Sequence, residues 1–215
     1  AGSSSLSASM KMILVLTLLS LAPFLLVMVT SFTRIIVVLH FVRSALGTQT
    51  SPPNQVLIGI ALFLTLFIMA PVMTQINKDC IQPYDKGKLT QEEALNAGLK
   101  PIRKFMFEQT NRKDIRLFME IEKQSNDVSI EKEDEIPTLV LIPAFMISEL
   151  RIAFIIGFLI YLPFIVIDMV VASTLMSMGM MMLPPTTISM PFKILLFVLA
   201  DGWNLVIGQL VKTFY

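Results

Sequence analysis

The chain has 215 residues, of which 54% are hydrophobic and only 15% charged, with a net charge of +1 and a mean hydropathy of +0.73. A soluble domain carries about 25% charged and about 45–50% apolar residues, so an ordinary globular protein is excluded. The near-neutral balance leaves no basic footprint for nucleic acid, and the single cysteine, Cys80, allows neither an internal disulfide nor a cysteine-based metal site.

The charges are unevenly placed. Residues 74–136 hold 11 Lys/Arg and 13 Asp/Glu. The rest of the chain has only Lys11, Arg34, Arg43, Arg151, Lys193 and Lys212 with the acids Glu149, Asp168 and Asp201. The sequence therefore divides into N-terminal apolar helices over 1–73, a hydrophilic helical insert over 74–136 and C-terminal apolar helices over 137–215.

In chain order, "MILVLTLLSLAPFLLVMVTSFT" at 12–33 is 22 residues without a charge. As a helix it is about 33 Å long at about 1.5 Å per residue, enough for a hydrocarbon core of about 30 Å. Pro23 should kink it. The run is too long for the apolar part of a signal peptide and no small-residue cleavage site follows. Because the sequence begins at Ala1, a leader removed earlier or a trimmed N-terminus is expected. His40, the only histidine, lies in "IIVVLHFVR" and reads as a packed or interface residue, since a ligand needs convergent partners. "TQTSPPNQ" is a turn, and "VLIGIALFLTLFIMAPVM" at 56–73 is the second apolar helix. Arg34 and Arg43 mark the first loop as cytoplasm-facing, which puts the charge-balanced insert on the periplasmic side.

Within the insert, Thr90 and Glu93 have capping-box spacing ahead of a helix that Pro101 should punctuate. Ile115, Phe118, Met119 and Glu122 fall at helical spacing and predict a second amphipathic helix. "SNDVSIEKEDE" reads as a solvated loop. After Ile136 the sequence is apolar again but interrupted: Glu149 and Arg151 separate two runs, and the uncharged 152–167 spans only about 24 Å as helix. Short, proline-broken helices packed within an assembly are expected here, with "KILLFVLADGWNLVIGQLVKTFY" as the last helix. The fold class is all-α, with membrane-associated helical hairpins.

Glu149 and Arg151 are two residues apart, about 200° around a helix, so they cannot face each other. Each needs a partner elsewhere, as does Asp168. They serve either as structural ion pairs or as an ion relay, and the relay lacks a second carboxylate at helical spacing. Enzyme signatures such as HExxH, GxSxG and a Walker loop are absent, so no catalytic residue, metal or cofactor is expected. "MSMGMMMLPPTT" at 176–187 clusters methionine around Gly179 before Pro184 and Pro185. It is either ordinary core filling or an adaptable apolar seal on a loop.

Taken together, "PPNQV", "SELR", "GMMMLPP" and "PFKILLFVLADGW", within residues 31–72 and 141–203, resemble the FliP family of type III secretion export-gate proteins. The resemblance implies a pore-forming subunit of the flagellar protein export gate. Copies of the subunit would form a pentameric ring with FliQ and FliR subunits, further export-apparatus proteins and membrane lipid. Unfolded flagellar substrates would pass through it. The place implied is the flagellar basal body at the bacterial inner membrane, with a periplasmic-side projection, and a cleavable leader is implied too. Met180, Met181 and Met182 match the family's methionine loop, implying a pore gasket flanked by Gly179, Pro184 and Pro185. Glu149, Arg151, Asp168 and Lys193 are then intersubunit or interhelix charges. The alternatives are an ion-coupled small-solute transporter and a structural basal-body scaffold.

Overall fold

The computed structural model describes residues 10, 12–13, 15–17, 19–21, 23–24, 27–122, 136–180 and 183–215. The solvated-loop reading of residues 125–135 lies outside them, as do Met181 and Met182. Every regular element among the described residues is helical. In order these are α1 (Phe32–Ala45), α2 (Asn54–Ile76), a π-helical segment (Asn77–Ile81) and α3 (Gln82–Asp85). Then come α4 (Gln91–Gln109), α5 (Arg112–Ile121), α6 (Thr138–Ser177), α7 (Pro185–Leu199) and α8 (Gly202–Lys212). The described positions between residues 10 and 28 are helical as well.

Two helical runs are long and apolar enough to cross a membrane, Asn54–Asp85 with 32 residues and Thr138–Ser177 with 40. The second differs from the short, proline-broken helices expected there. Pro143 and Pro163 both lie inside α6. A proline within a helix costs about 3 kcal/mol. Breaking an apolar helix in lipid would strand several backbone groups at several kcal/mol each, so continuity wins. Pro101 likewise sits buried inside α4 and does not end it.

A break does occur where one terminal helix was expected. α7 and α8 meet at an angle of 66°. Asp201 adopts a left-handed backbone (φ 49°), which ends the helix. A Cβ on Gly202 would lie 2.4 Å from the Phe197 ring, so only glycine lets the second helix start so close to the first.

In the insert, Glu93 N–H donates to Thr90 Oγ1 at 3.4 Å and Thr90 N–H donates to Glu93 Oε2 at 2.8 Å. This is the capping box that the spacing predicts, and its hydrogen bonds hold the Glu93 carboxyl below the usual carboxylate range. The capping contribution is therefore complete above the ordinary Glu pKa and is lost as pH falls through the lowered folded value. α5 buries Ile115 and Met119 as an amphipathic helix should.

α1 and α6 run side by side in the same direction. Arg34 meets Glu149 near one end, and Phe41 packs edge-on against Phe154 further along, with ring centroids 5.2 Å apart. The main core joins Ile35, Val38 and Leu39 of α1 to Leu57 and Ala61 of α2 and to Leu141, Ala144 and Phe145 of α6. Phe105 and Met106 of α4 and Ile115 of α5 enter the same cluster, so the insert is built onto the apolar helices. A second cluster of Val42, Ala45, Leu46, Phe164 and Phe197 closes the opposite end.

Gly157 of α6 permits the closest approach in this packing. A Cβ there would lie 2.4 Å from Phe41 Cγ and 2.9 Å from Phe41 Cβ, close to the root of the side chain, where rotation gives little relief. Gly157→Ala should therefore destabilise by about 1–3 kcal/mol through overpacking. Gly59→Ala, with nothing within 4 Å, should be neutral or gain up to about 1 kcal/mol from helix propensity. Thermal unfolding in detergent distinguishes the two, and equal melting of both variants would contradict the packing.

Candidate functional site

The isolated charges of the apolar blocks are brought together in three places along α6. Arg34 and Glu149 are both fully buried. Arg34 Nε donates to Glu149 Oε2 at 3.0 Å and Nη2 donates to Glu149 Oε1. Nη2 also donates to Gln109 Oε1 at 3.0 Å, while Nη1 donates to the Thr213 carbonyl at 3.1 Å and to Thr213 Oγ1 at 3.0 Å. These bonds occupy all five guanidinium N–H donors, and the Phe214 ring covers the group at 3.9 Å. Arg34 is thus a buried helix residue at the opposite end of α1 from the 46–53 loop, and it cannot count as a loop charge. Only Arg43 stands beside that loop, in the last turn of α1, donating to Asn54 Oδ1 at 2.6 Å and lying 2.9 Å from His40 Nδ1.

About half a turn along α6, Arg151 points away from Glu149 and meets α5. Arg151 Nη2 donates to Asp114 Oδ1 at 2.5 Å. Asp114 Oδ2 accepts from Ser148 Oγ at 2.6 Å, and Ser148 Oγ accepts from Asn111 N–H at 2.9 Å. The start of α5 is fixed to α6 in this way. Further down, Asp168 accepts from Lys193 Nζ at 2.6 Å and from Ser189 Oγ at 2.5 Å, joining α6 to α7. Sequence reasoning singled out Glu149, Arg151, Asp168 and Lys193 but missed Arg34, Asp114, Gln109 and Ser189. Arg34 stands alone in an apolar run just as Glu149 does, and that shared isolation was the available signal. Asp114 gave none, being one acid among many in a charged segment.

Beyond Asp168, α6 continues to Ser177 and carries the methionine cluster. Gly179 N–H donates to the Met176 carbonyl at 3.1 Å and Met180 N–H to the Leu175 carbonyl at 3.0 Å, with Gly179 at φ 74°. This pair of bonds is the Schellman helix ending, which requires a left-handed residue at the glycine position. The glycine within the cluster therefore ends the helix, and Pro185 starts α7 at its first position, where the missing N–H is harmless. Met178 is 71% exposed and Met180 41% exposed. None of the charged pairs lies in this turn. Among the described residues, no group of three or more His, Cys, Asp or Glu is placed to hold a metal ion.

The ion pair buried deepest should also matter most. Glu149→Ala leaves the Arg34 guanidinium buried without its carboxylate, and loss of one member of a buried pair costs about 3–5 kcal/mol. Replacing both Arg34 and Glu149 by methionine removes the unpaired charge but leaves Gln109 and Thr213 without their donor, so it should recover only part of that loss. Unfolding midpoints in detergent check this, and a Glu149→Ala variant as stable as the parent chain would contradict it.

The FliP family profile matches residues 15–210. Among similar proteins, the flagellar biosynthetic protein FliP of Bacillus subtilis (strain 168) is 53% identical over 210 residues, covering 98% of this chain and 94% of that protein. The flagellar biosynthetic protein FliP of Pectobacterium carotovorum subsp. carotovorum is 47% identical over 214 residues, 100% of this chain and 82% of the other. That of Aquifex aeolicus (strain VF5) is 47% identical over 213 residues, 99% and 89% of the two chains. Identity at this level across almost the whole length leaves one conclusion, that the chain belongs to the FliP family.

Proposed function

We propose that the chain is a pore-forming subunit of the flagellar protein export gate. In this reading several copies, five by family resemblance, join FliQ and FliR subunits in a ring at the bacterial inner membrane, and unfolded flagellar subunits pass along its axis. The observation that carries the proposal is the methionine turn. It sits at the end of a helix anchored by ion pairs, is exposed at Met178 and Met180, and is bounded by Gly179, Pro184 and Pro185. A seal around a moving polypeptide must be apolar to resist ions, pliable to follow side chains of any shape, and indifferent to sequence. Methionine meets all three conditions through its unbranched, polarizable side chain, whereas β-branched residues are stiff at χ1.

The transporter alternative draws less support, because Glu149 and Asp168 are each held by a fixed cationic partner within the chain. The scaffold alternative gives no reason for flexible apolar side chains on an exposed turn. Neighbouring subunits have an apolar place to seat on the insert. A groove of about 760 Å³ is lined mainly by apolar residues such as Ile76, Leu95, Leu99 and Ile102, with Gln91 and Glu92 also on its wall. The insert lies at the opposite end of α1 and α2 from the 46–53 loop that Arg43 flanks, which supports a periplasmic insert with that loop facing the cytoplasm.

Two experiments test the proposal. Replacing Met180, Met181 and Met182 together by alanine removes three long side chains per copy. The complex should still assemble while the inner membrane becomes leaky to ions and small solutes. A variant that assembles, exports normally and keeps the membrane tight makes these methionines ordinary packing. For topology, Lys86→Cys in a Cys80→Ser background should react with a membrane-impermeant maleimide added to intact spheroplasts. Labelling only after the cells are broken would place the insert in the cytoplasm.

A further inference from the structure

Gln109, the last residue of α4, makes two hydrogen bonds that lead to different parts of the chain. Its Oε1 accepts from Arg34 Nη2 at 3.0 Å, and its Nε2 donates to the Phe214 carbonyl at 3.3 Å. The neighbouring contacts repeat this pattern. Arg34 bonds the Thr213 carbonyl and hydroxyl, its guanidinium lies on the Phe214 ring, and that ring stacks on Phe105 of α4 with centroids 6.4 Å apart. Thr213 Oγ1 in turn donates to the Leu210 carbonyl at 2.7 Å, tying the clamp to the last turn of α8. Residues more than 100 positions apart thus share one polar cluster, in which Arg34 is fully buried, Gln109 half-buried and Thr213 at the exposed edge.

We infer that Gln109 is a positioning residue that holds the hydrophilic insert, residues 213–214 and the Arg34–Glu149 pair together as one mechanical unit. The reason is the match of donors to acceptors. Arg34 has no spare N–H for the Phe214 carbonyl, and the Gln109 amide supplies one while offering its own oxygen to Arg34. A carboxylate could not donate, and an apolar side chain could do neither. A load on α4 is then felt at residues 213–214, just past α8, through directional bonds. Coupling of this kind is reciprocal: loosening either side weakens the contacts that hold the other. The inference rests on these contacts alone and holds whatever the chain transports.

Hydrogen exchange on the purified protein in detergent tests it in both directions. Gln109→Met, an apolar replacement of similar length, should raise exchange at residues 210–215 by about an order of magnitude. Phe214→Ala, which removes the ring from both the Arg34 guanidinium and Phe105, should also raise exchange at residues 105–110. Residues 189–197, held by the separate Asp168–Lys193 contact, serve as the internal reference and should stay unchanged in both variants. Unchanged exchange at the distant partner in either variant overturns the inference. So does a uniform rise that includes the reference segment, because Gln109 would then stabilise the whole chain without joining these two parts.

Discussion

The fold depends on one buried cation. Arg34 sits without solvent contact among apolar helices, where an unpaired charge would be prohibitively expensive. It is accommodated because all five of its N–H groups have acceptors: both Glu149 oxygens, Gln109, and the carbonyl and hydroxyl of Thr213. Satisfying it brings α1, α4, α6 and the end of α8 to a single point. The hydrophobic core is built around that point, with Phe105, Phe145 and Phe214 packed together and Phe214 lying on the guanidinium. Apolar packing supplies most of the contact area but is indifferent to register. The directional polar contacts set how far each helix slides along its neighbours.

The same logic repeats along α6. Glu149 engages α1, Arg151 engages α5 and Asp168 engages α7, so a helix of 40 residues is fixed at two levels to three different partners. About 200° of rotation separates Glu149 from Arg151, which is why neighbours in sequence can serve opposite neighbours in space. Past Asp168 no ion pair holds the helix, and that free end carries the methionines and the glycine-terminated turn. A firmly held shaft with a pliable apolar tip is the arrangement that a seal at the axis of an assembly needs.

Much of this was legible in the sequence, and what was not has physical causes. The division into apolar blocks and an insert follows from where the charges fall. The capping box at Thr90 and Glu93 is local chemistry, and local chemistry can be read from spacing. The need of Glu149 and Asp168 for partners was plain, but their identities depend on contacts across 115 and 25 positions. No local rule supplies those. The prolines misled because their penalty is set in water-exposed helices. In an apolar environment the backbone has no alternative hydrogen-bond partner, so α6 runs through Pro143 and Pro163. Conversely, the break at Asp201 and Gly202 comes from a left-handed residue and a close contact with Phe197, which an apolar reading of the last segment passed over.

The central claim is that the methionine turns of several copies meet on the axis of a ring. Electron cryo-microscopy of the particle purified with its native partners tests this most directly. The account predicts a closed ring in which density for residues 178–183 of every copy converges on the central axis at its narrowest point. A particle with these turns on its outer, lipid-facing surface, or with no central axis at all, would contradict it.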